Sequence, residues 1–216
     1  MRRGLLALLV LLACVAGAAA QGGGPSRHGR LFPPEDLGLL ESPDRDVWQK
    51  PERIMDALGI ADGAKVADVG AGGGWFTVRL ARRVGPNGRV YAEDVQPQML
   101  EATQRRATRE GWENVIYQKG TATDPMLPRS ALDAVLIIDA YAEIPNPLLF
   151  LKNVHASLKP GGRVGIVDYK RHGGGPGPDG ARPDPASVEE VARAAGLRLV
   201  ARETFLPFQF FLVFAR

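Results

Sequence analysis

The chain has 216 residues, 45% hydrophobic and 24% charged, a composition that suits one folded domain of ordinary core size and excludes a disordered or collagen-like polymer. Lysine and arginine number 27 against 24 acidic residues; with Arg2 and Arg3 assigned to a leader the balance is close to neutral, which argues against a dedicated nucleic-acid binder. The one cysteine, Cys14, falls in that leader, so the folded part is expected to hold no disulfide, no thiolate-bound metal and no thiol nucleophile.

Residues 1–20 read as an export signal. Arg2 and Arg3 are followed by an apolar run from Leu5 to Ala13, and Ala18-Ala19-Ala20 supplies the small residues of a cleavage site. The run is shorter than the ~20 residues a membrane-spanning helix needs. Leu11-Leu12-Ala13-Cys14 also reads as a lipoprotein signal ending before Cys14, in which case a lipid on Cys14 would be the membrane attachment. The expected location is outside the cytoplasm. Residues 21–45 read as a flexible N-terminal segment, rich in Gly and Pro at its start, and residues 46–216 as the folded domain.

A short helix is expected over Pro51–Leu58, closed by Gly59. From Lys65 onward, short β-branched runs alternate with helical stretches, the pattern of a parallel sheet covered by helices. The strands fall at Lys65–Val69, Arg89–Glu93, Val115–Gln118, Ala134–Asp139, Arg163–Asp168, Leu197–Thr204 and Phe208–Phe214; the helices fall at Phe76–Arg83, Gln98–Arg109, Pro147–Leu158 and Pro185–Ala195. Only a few residues around Pro207 join the last two strands, so these pair antiparallel. The aromatic tail Phe205, Phe208, Phe210, Phe211 and Phe214 reads as buried strand.

The first strand ends in Asp68-Val69-Gly70-Ala71-Gly72-Gly73-Gly74 and runs into a helix. Glycines at such a turn let backbone amides approach a nucleoside-bearing ligand where a β-carbon would intrude. A dinucleotide fingerprint would need Gly or Ala where Trp75 stands, and a phosphate-binding loop would need Gly-Lys-Ser/Thr, which is missing.

This turn resembles that of the class I S-adenosylmethionine-dependent methyltransferases. The likeness extends to Val90-Tyr91-Ala92-Glu93-Asp94-Val95-Gln96-Pro97, similar to the family's acidic end of strand two, and to Ser157-Leu158-Lys159-Pro160-Gly161-Gly162-Arg163, similar to its entry into strand five. The resemblance implies a Rossmann-like, doubly wound α/β fold: a seven-stranded sheet, mostly parallel with an antiparallel last strand, in the order 3-2-1-4-5-7-6. It implies S-adenosyl-L-methionine as cofactor. Gly70, Gly72 and Gly74 would pass beside its methionine and ribose parts, Asp68 would orient its ammonium group, and Asp94 would accept the ribose hydroxyls, with Glu93 in that role if the register shifts by one. Where the family commonly has Gly-Asp-Ala, this chain has Gly120-Thr121-Ala122, so Thr121 and Ala122 stand at the adenine end with Asp124 or a backbone carbonyl as substitute for the missing acid.

In open α/β sheets ligands lie beyond the carboxyl ends of the strands. Acceptor groups are therefore expected after strands four and five, and the catalytic candidates are Asp139, as base or orienter at the edge of the cofactor site, Tyr141 and His172. Trp48 could form a lid or substrate wall, and the short Gly/Pro-rich segment 173–185 predicts an open acceptor site. His28, His155 and His172, without paired carboxylates at ligand spacing, give no metal site. The reading is methyl transfer to a small-molecule acceptor, with no nucleic-acid partner. The rivals are an exported binding module that keeps the fold without catalysis, and a nicotinamide oxidoreductase, which Trp75 disfavours.

Overall fold

A computed structural model describes residues 31–172, 174–175 and 182–216. The expected signal over residues 1–20, Cys14 and His28 lie outside the described residues. Seven strands form one sheet in the order β3-β2-β1-β4-β5-β7-β6: β1 (Lys65–Val69), β2 (Arg89–Asp94), β3 (Val115–Lys119), β4 (Leu132–Ile138), β5 (Leu158–Tyr169), β6 (Arg198–Glu203) and β7 (Gln209–Ala215). Pairings among the first five are parallel, and β7 runs antiparallel to both β5 and β6. This is the expected Rossmann-like, doubly wound sheet with its antiparallel strand inserted between the fifth and sixth. The fifth strand begins earlier than its β-branched run because Leu158 pairs with Leu132 ahead of a register shift.

The central strands are apolar on both sides because helices cover both faces. On one face α2 (Pro51–Ala57) and α3 (Trp75–Val84) set Ile54, Met55, Phe76 and Leu80 against Val66, Leu136 and Val167. On the other, α5 (Pro147–Ser157) and α6 (Pro185–Ala194) set Leu151, Val154 and Val188 against Ile137, Ile166 and Leu212. Each fully buried aliphatic side chain contributes about 1.5–3 kcal/mol. Proline opens α2, α4 (Pro97–Arg109), α5 and α6, where its missing N–H costs nothing and its fixed φ is already helical. Asn146 and Asp184 cap α5 and α6, accepting from the amides of Leu149 and Ala186. Residues 120–131 cross from β3 to β4 as a loop without a helix.

The start of the folded part differs from expectation. Residues 34–45 do not form a flexible lead-in: Pro34–Leu40 is a 3-10 helix and α1 begins at Arg45 (Arg45–Gln49). Trp48, within α1, is buried in the core rather than lining a substrate wall, its ring 6.3 Å from that of Tyr169 and 6.0 Å from that of Phe208.

Candidate functional site

A cavity of about 1770 Å³ opens over the carboxyl ends of β1, β2, β4 and β5, where the direction of strand order reverses and ligands of such sheets collect. Its floor is the glycine turn. Gly70, Gly72 and Gly74 all take positive φ, at 71°, 55° and 76°. A β-carbon on Gly70 would sit 2.5 Å from the β-carbon of Ala140, so β1 and the loop after β4 approach closely only because that side chain is absent.

Two carboxylates flank the turn. Asp94, at the end of β2, accepts from the Gly72 amide through Oδ2 (3.0 Å) and from the Gln96 amide through Oδ1 (2.9 Å). These bonds fix the group while each oxygen keeps further acceptor capacity for a ligand. Burial pushes the Asp94 pKa up, and the amides of Gln96, Gly72 and Val95 pull it back. Asp68, on β1, is buried and accepts from the Thr77 hydroxyl at 2.6 Å. Its pKa is pushed up to about 6 by burial, against the pull of Thr77 and Arg45. Thr77 lies inside α3, nine residues away, and nothing in the local sequence singles it out.

At the far end of the turn, Thr121 and Ala122 line the cavity. The Thr121 hydroxyl is taken up within its own loop, donating to the Asp124 carbonyl (3.2 Å) and accepting from the Asp124 amide (3.0 Å). Asp124 does not replace the missing acid: its carboxylate accepts from the Met126 amide (2.7 Å), and the residue does not line the cavity. Glu93 does line it. This side chain is buried, its Oε1 has no partner, and burial with the neighbouring Asp94 charge raises its pKa to about 8.

The opposite end carries the acceptor candidates. Asp139 has φ 56°, a left-handed conformation that costs a non-glycine residue about 1–2 kcal/mol and is characteristic of functional sites. Gln209 and Gln49 donate to its two oxygens, Gln49 at 3.3 Å, and the Arg45 guanidinium lies 3.9 Å away. Burial still raises its pKa to about 6. Beside it, Asp168 accepts from the Tyr169 amide (2.8 Å) while its buried Oδ2 has no partner. Burial and the charge of Asp139 lift its pKa well above the usual carboxylate range. Asp168 stands at the carboxyl end of β5, where acceptor groups are expected; its desolvation depends on the packing of the neighbouring strand and loop.

Two expected catalytic residues lie elsewhere. Tyr141 is drawn into the core on the α5 face by a 3-10 turn (Tyr141–Glu143), and Ala140, Ala142 and Glu143 line the cavity instead. His172 stands exposed beyond β5; its neighbour Arg171 lines the cavity and it does not. Among the described residues no group of three or more His, Cys, Asp or Glu is placed to hold a metal ion.

The cavity is also more enclosed than the open site expected, because residues 31–41 line it, with Leu37 and Glu41 against the glycine turn. The Phe32 amide donates to Glu143 (3.1 Å), the Phe32 carbonyl accepts from Gln96 (2.9 Å), and Glu41 pairs with Arg106. Arg45 and Arg79 stack on the Trp75 ring, 4.2 Å and 3.5 Å from its centroid. Arg79 is in turn held by Asp46. This stack joins the N-terminal segment to the start of α3.

A sheet of this order, a glycine turn and an acid at the end of the second strand define a methyltransferase fold. The sequence profile described as a methyltransferase domain matches residues 66–162. A demethylmenaquinone methyltransferase of Staphylococcus aureus (strain JH9) is 35% identical over 126 residues, covering 58% of this chain and 51% of that protein; the chain thus spans about half the length of the curated relatives it matches. A crystal structure of a SAM dependent methyltransferase from Aquifex aeolicus superposes with a TM-score of 0.76 at 27% identity, over 86% of this chain and 99% of that one. Geranyl diphosphate C-methyltransferase from Streptomyces coelicolor, at 15% identity and a TM-score of 0.67, shares the fold. The domain match over residues 66–162, the demethylmenaquinone methyltransferase relative and the Aquifex aeolicus structure together support the class I S-adenosylmethionine-dependent methyltransferase superfamily.

Proposed function

We propose that this chain binds S-adenosyl-L-methionine across the glycine turn and transfers its methyl group to a small-molecule acceptor. The observation that carries the reading is the cradle itself: a turn where a β-carbon at Gly70 cannot fit, bordered by Asp68 on one side and an amide-anchored Asp94 on the other. Such a donor and acceptor set fits an adenosyl amino acid. Asp94 accepts from ribose hydroxyls, and Asp68 faces the ammonium group as a charge-assisted partner.

When bound, the cofactor supplies a methyl carbon activated by a sulfonium. The cavity exceeds the 300–1,000 Å³ of an ordinary ligand site, so an acceptor has room beside it. Alignment of nucleophile and methyl carbon supplies much of the rate, and residues 31–41 limit water above the site. Asp139 is the group placed to orient the acceptor or take its proton. With a pKa near 6 it is largely ionised at neutral pH, as a base must be. The small-molecule class of acceptor rests on this enclosed cavity and on the demethylmenaquinone methyltransferase relatives.

Calorimetric titration with S-adenosylmethionine and S-adenosylhomocysteine tests the cofactor assignment. Saturable one-to-one binding of both is the expected result. No detectable heat or competition at millimolar concentration would leave a fold without this function.

A further inference from the structure

We propose that Glu93 reads the base of the bound cofactor, its carboxyl group pairing with the amino edge of adenine in place of the acid that the β3–β4 loop lacks. This rests on the cofactor reading above and adds a specificity-determining residue to it.

Three observations converge. First, the β3–β4 loop offers no free acid for the task. The Thr121 hydroxyl and amide are both engaged with Asp124, and the Asp124 carboxylate is turned to Met126. Second, Glu93 lies between the two segments that border this end of the cavity. Its backbone carbonyl accepts from Ala71 in the glycine turn, and a β-carbon on Gly120 would collide with its Oε1. Gly120 thus gives the carboxyl its space. Third, Oε1 is buried without a partner while the residue lines the cavity. Leaving a buried polar atom unpaired costs about 1–3 kcal/mol, a penalty that a ligand group can remove.

The chemistry is complementary. A carboxyl group kept neutral offers one donor and one acceptor side by side, as the N1 and 6-amino positions of adenine offer one acceptor and one donor. Burial of Glu93 and the charge of Asp94, outweighing the pull of the Gly70 amide, favour that neutral form.

The test is binding by the full chain at neutral pH, with S-adenosylhomocysteine and its 6-deamino (purine riboside) analogue as probes and wild type, Glu93→Gln and Glu93→Leu as hosts. Wild type is expected to prefer the adenine form at least tenfold. Glu93→Gln, which keeps a donor and an acceptor, should retain that preference within about threefold, and Glu93→Leu should lose it by weakening only the adenine form. Equal affinity of wild type for the two probes overturns the proposal without recourse to any variant, as does a preference that survives in Glu93→Leu. Failure of wild type to bind S-adenosylhomocysteine at all removes the cofactor reading itself, a different and distinguishable outcome.

Discussion

Raising the pH from about 6 to 8.5 will destabilise the ligand-free protein, and Glu93→Gln will remove a large share of that loss. The sign follows from the direction of the shift. Glu93 titrates near 8 in the folded chain against an ordinary value of 4.5, so over this interval the folded state holds a proton that the unfolded state has released. Stability from this group is full below the unfolded value and declines as pH rises through the folded one. Within that window each pH unit costs up to ~1.4 kcal/mol, so a loss of about 2–4 kcal/mol attributable to Glu93 is expected by pH 8.5. Glu143, at about 7, and Asp168 add losses of the same sign, while Asp68 and Asp139, at about 6, are already half titrated where the interval begins and add smaller ones. Glutamine has the same shape and no charge to desolvate. Urea denaturation of both proteins at the two pH values provides the comparison; parallel pH dependences would show that Glu93 does not carry a raised pKa.

Gly70→Ala will destabilise the fold by about 2–5 kcal/mol and abolish cofactor binding. The new methyl group would have to occupy a point 2.5 Å from the Ala140 β-carbon. Both atoms are fixed by backbone, so no rotamer change relieves the clash, and separating the segments costs about 1–3 kcal/mol. The φ of 71° adds about 1–2 kcal/mol for any L side chain. Gly63→Ala is the matched control, because Gly63 has φ 79° but nothing within 4 Å of the added carbon. It should lose only the conformational share, and the difference between the two variants measures the contact. Equal losses would mean that β1 and the loop after β4 are free to move apart, and that the floor of the cavity is not shaped by this contact.

What could be read from the sequence was local or periodic. The β-branched runs placed the strands; the central ones stand out because strands buried on both faces must be apolar throughout, whereas the edge strands β3 and β6 keep exposed positions. The glycine turn and Asp94 were visible because they are contiguous and each has a backbone or charge requirement. The site residues that escaped notice depend on distant partners. Phe32 reaches Glu143 and Gln96, so a Gly- and Pro-bearing lead-in whose composition suggests a tether folds back over the cavity. Arg79 follows Trp75 by four residues, a helical spacing that could have suggested their stacking, but the approach of Arg45 to the same ring depends on that same fold-back. Tyr141 follows Asp139 by two residues and still faces the core, because the left-handed turn at Asp139 and the 3-10 turn after it rotate the chain. Glu93 stood next to the recognisable acid as an alternative ribose ligand; that its carboxyl packs against Gly120 depends on the close approach of the chain after β3.

The most direct test is the affinity of Asp94→Ala for S-adenosylhomocysteine, measured by calorimetry beside the wild-type protein. Asp94 is anchored by the Gly72 and Gln96 amides with acceptor capacity to spare, so its removal should cost at least tenfold in the dissociation constant, ~1.4 kcal/mol, with the fold intact by circular dichroism. An unchanged constant in a folded variant would contradict the assigned sugar contact and, with it, the orientation of the ligand along the cleft.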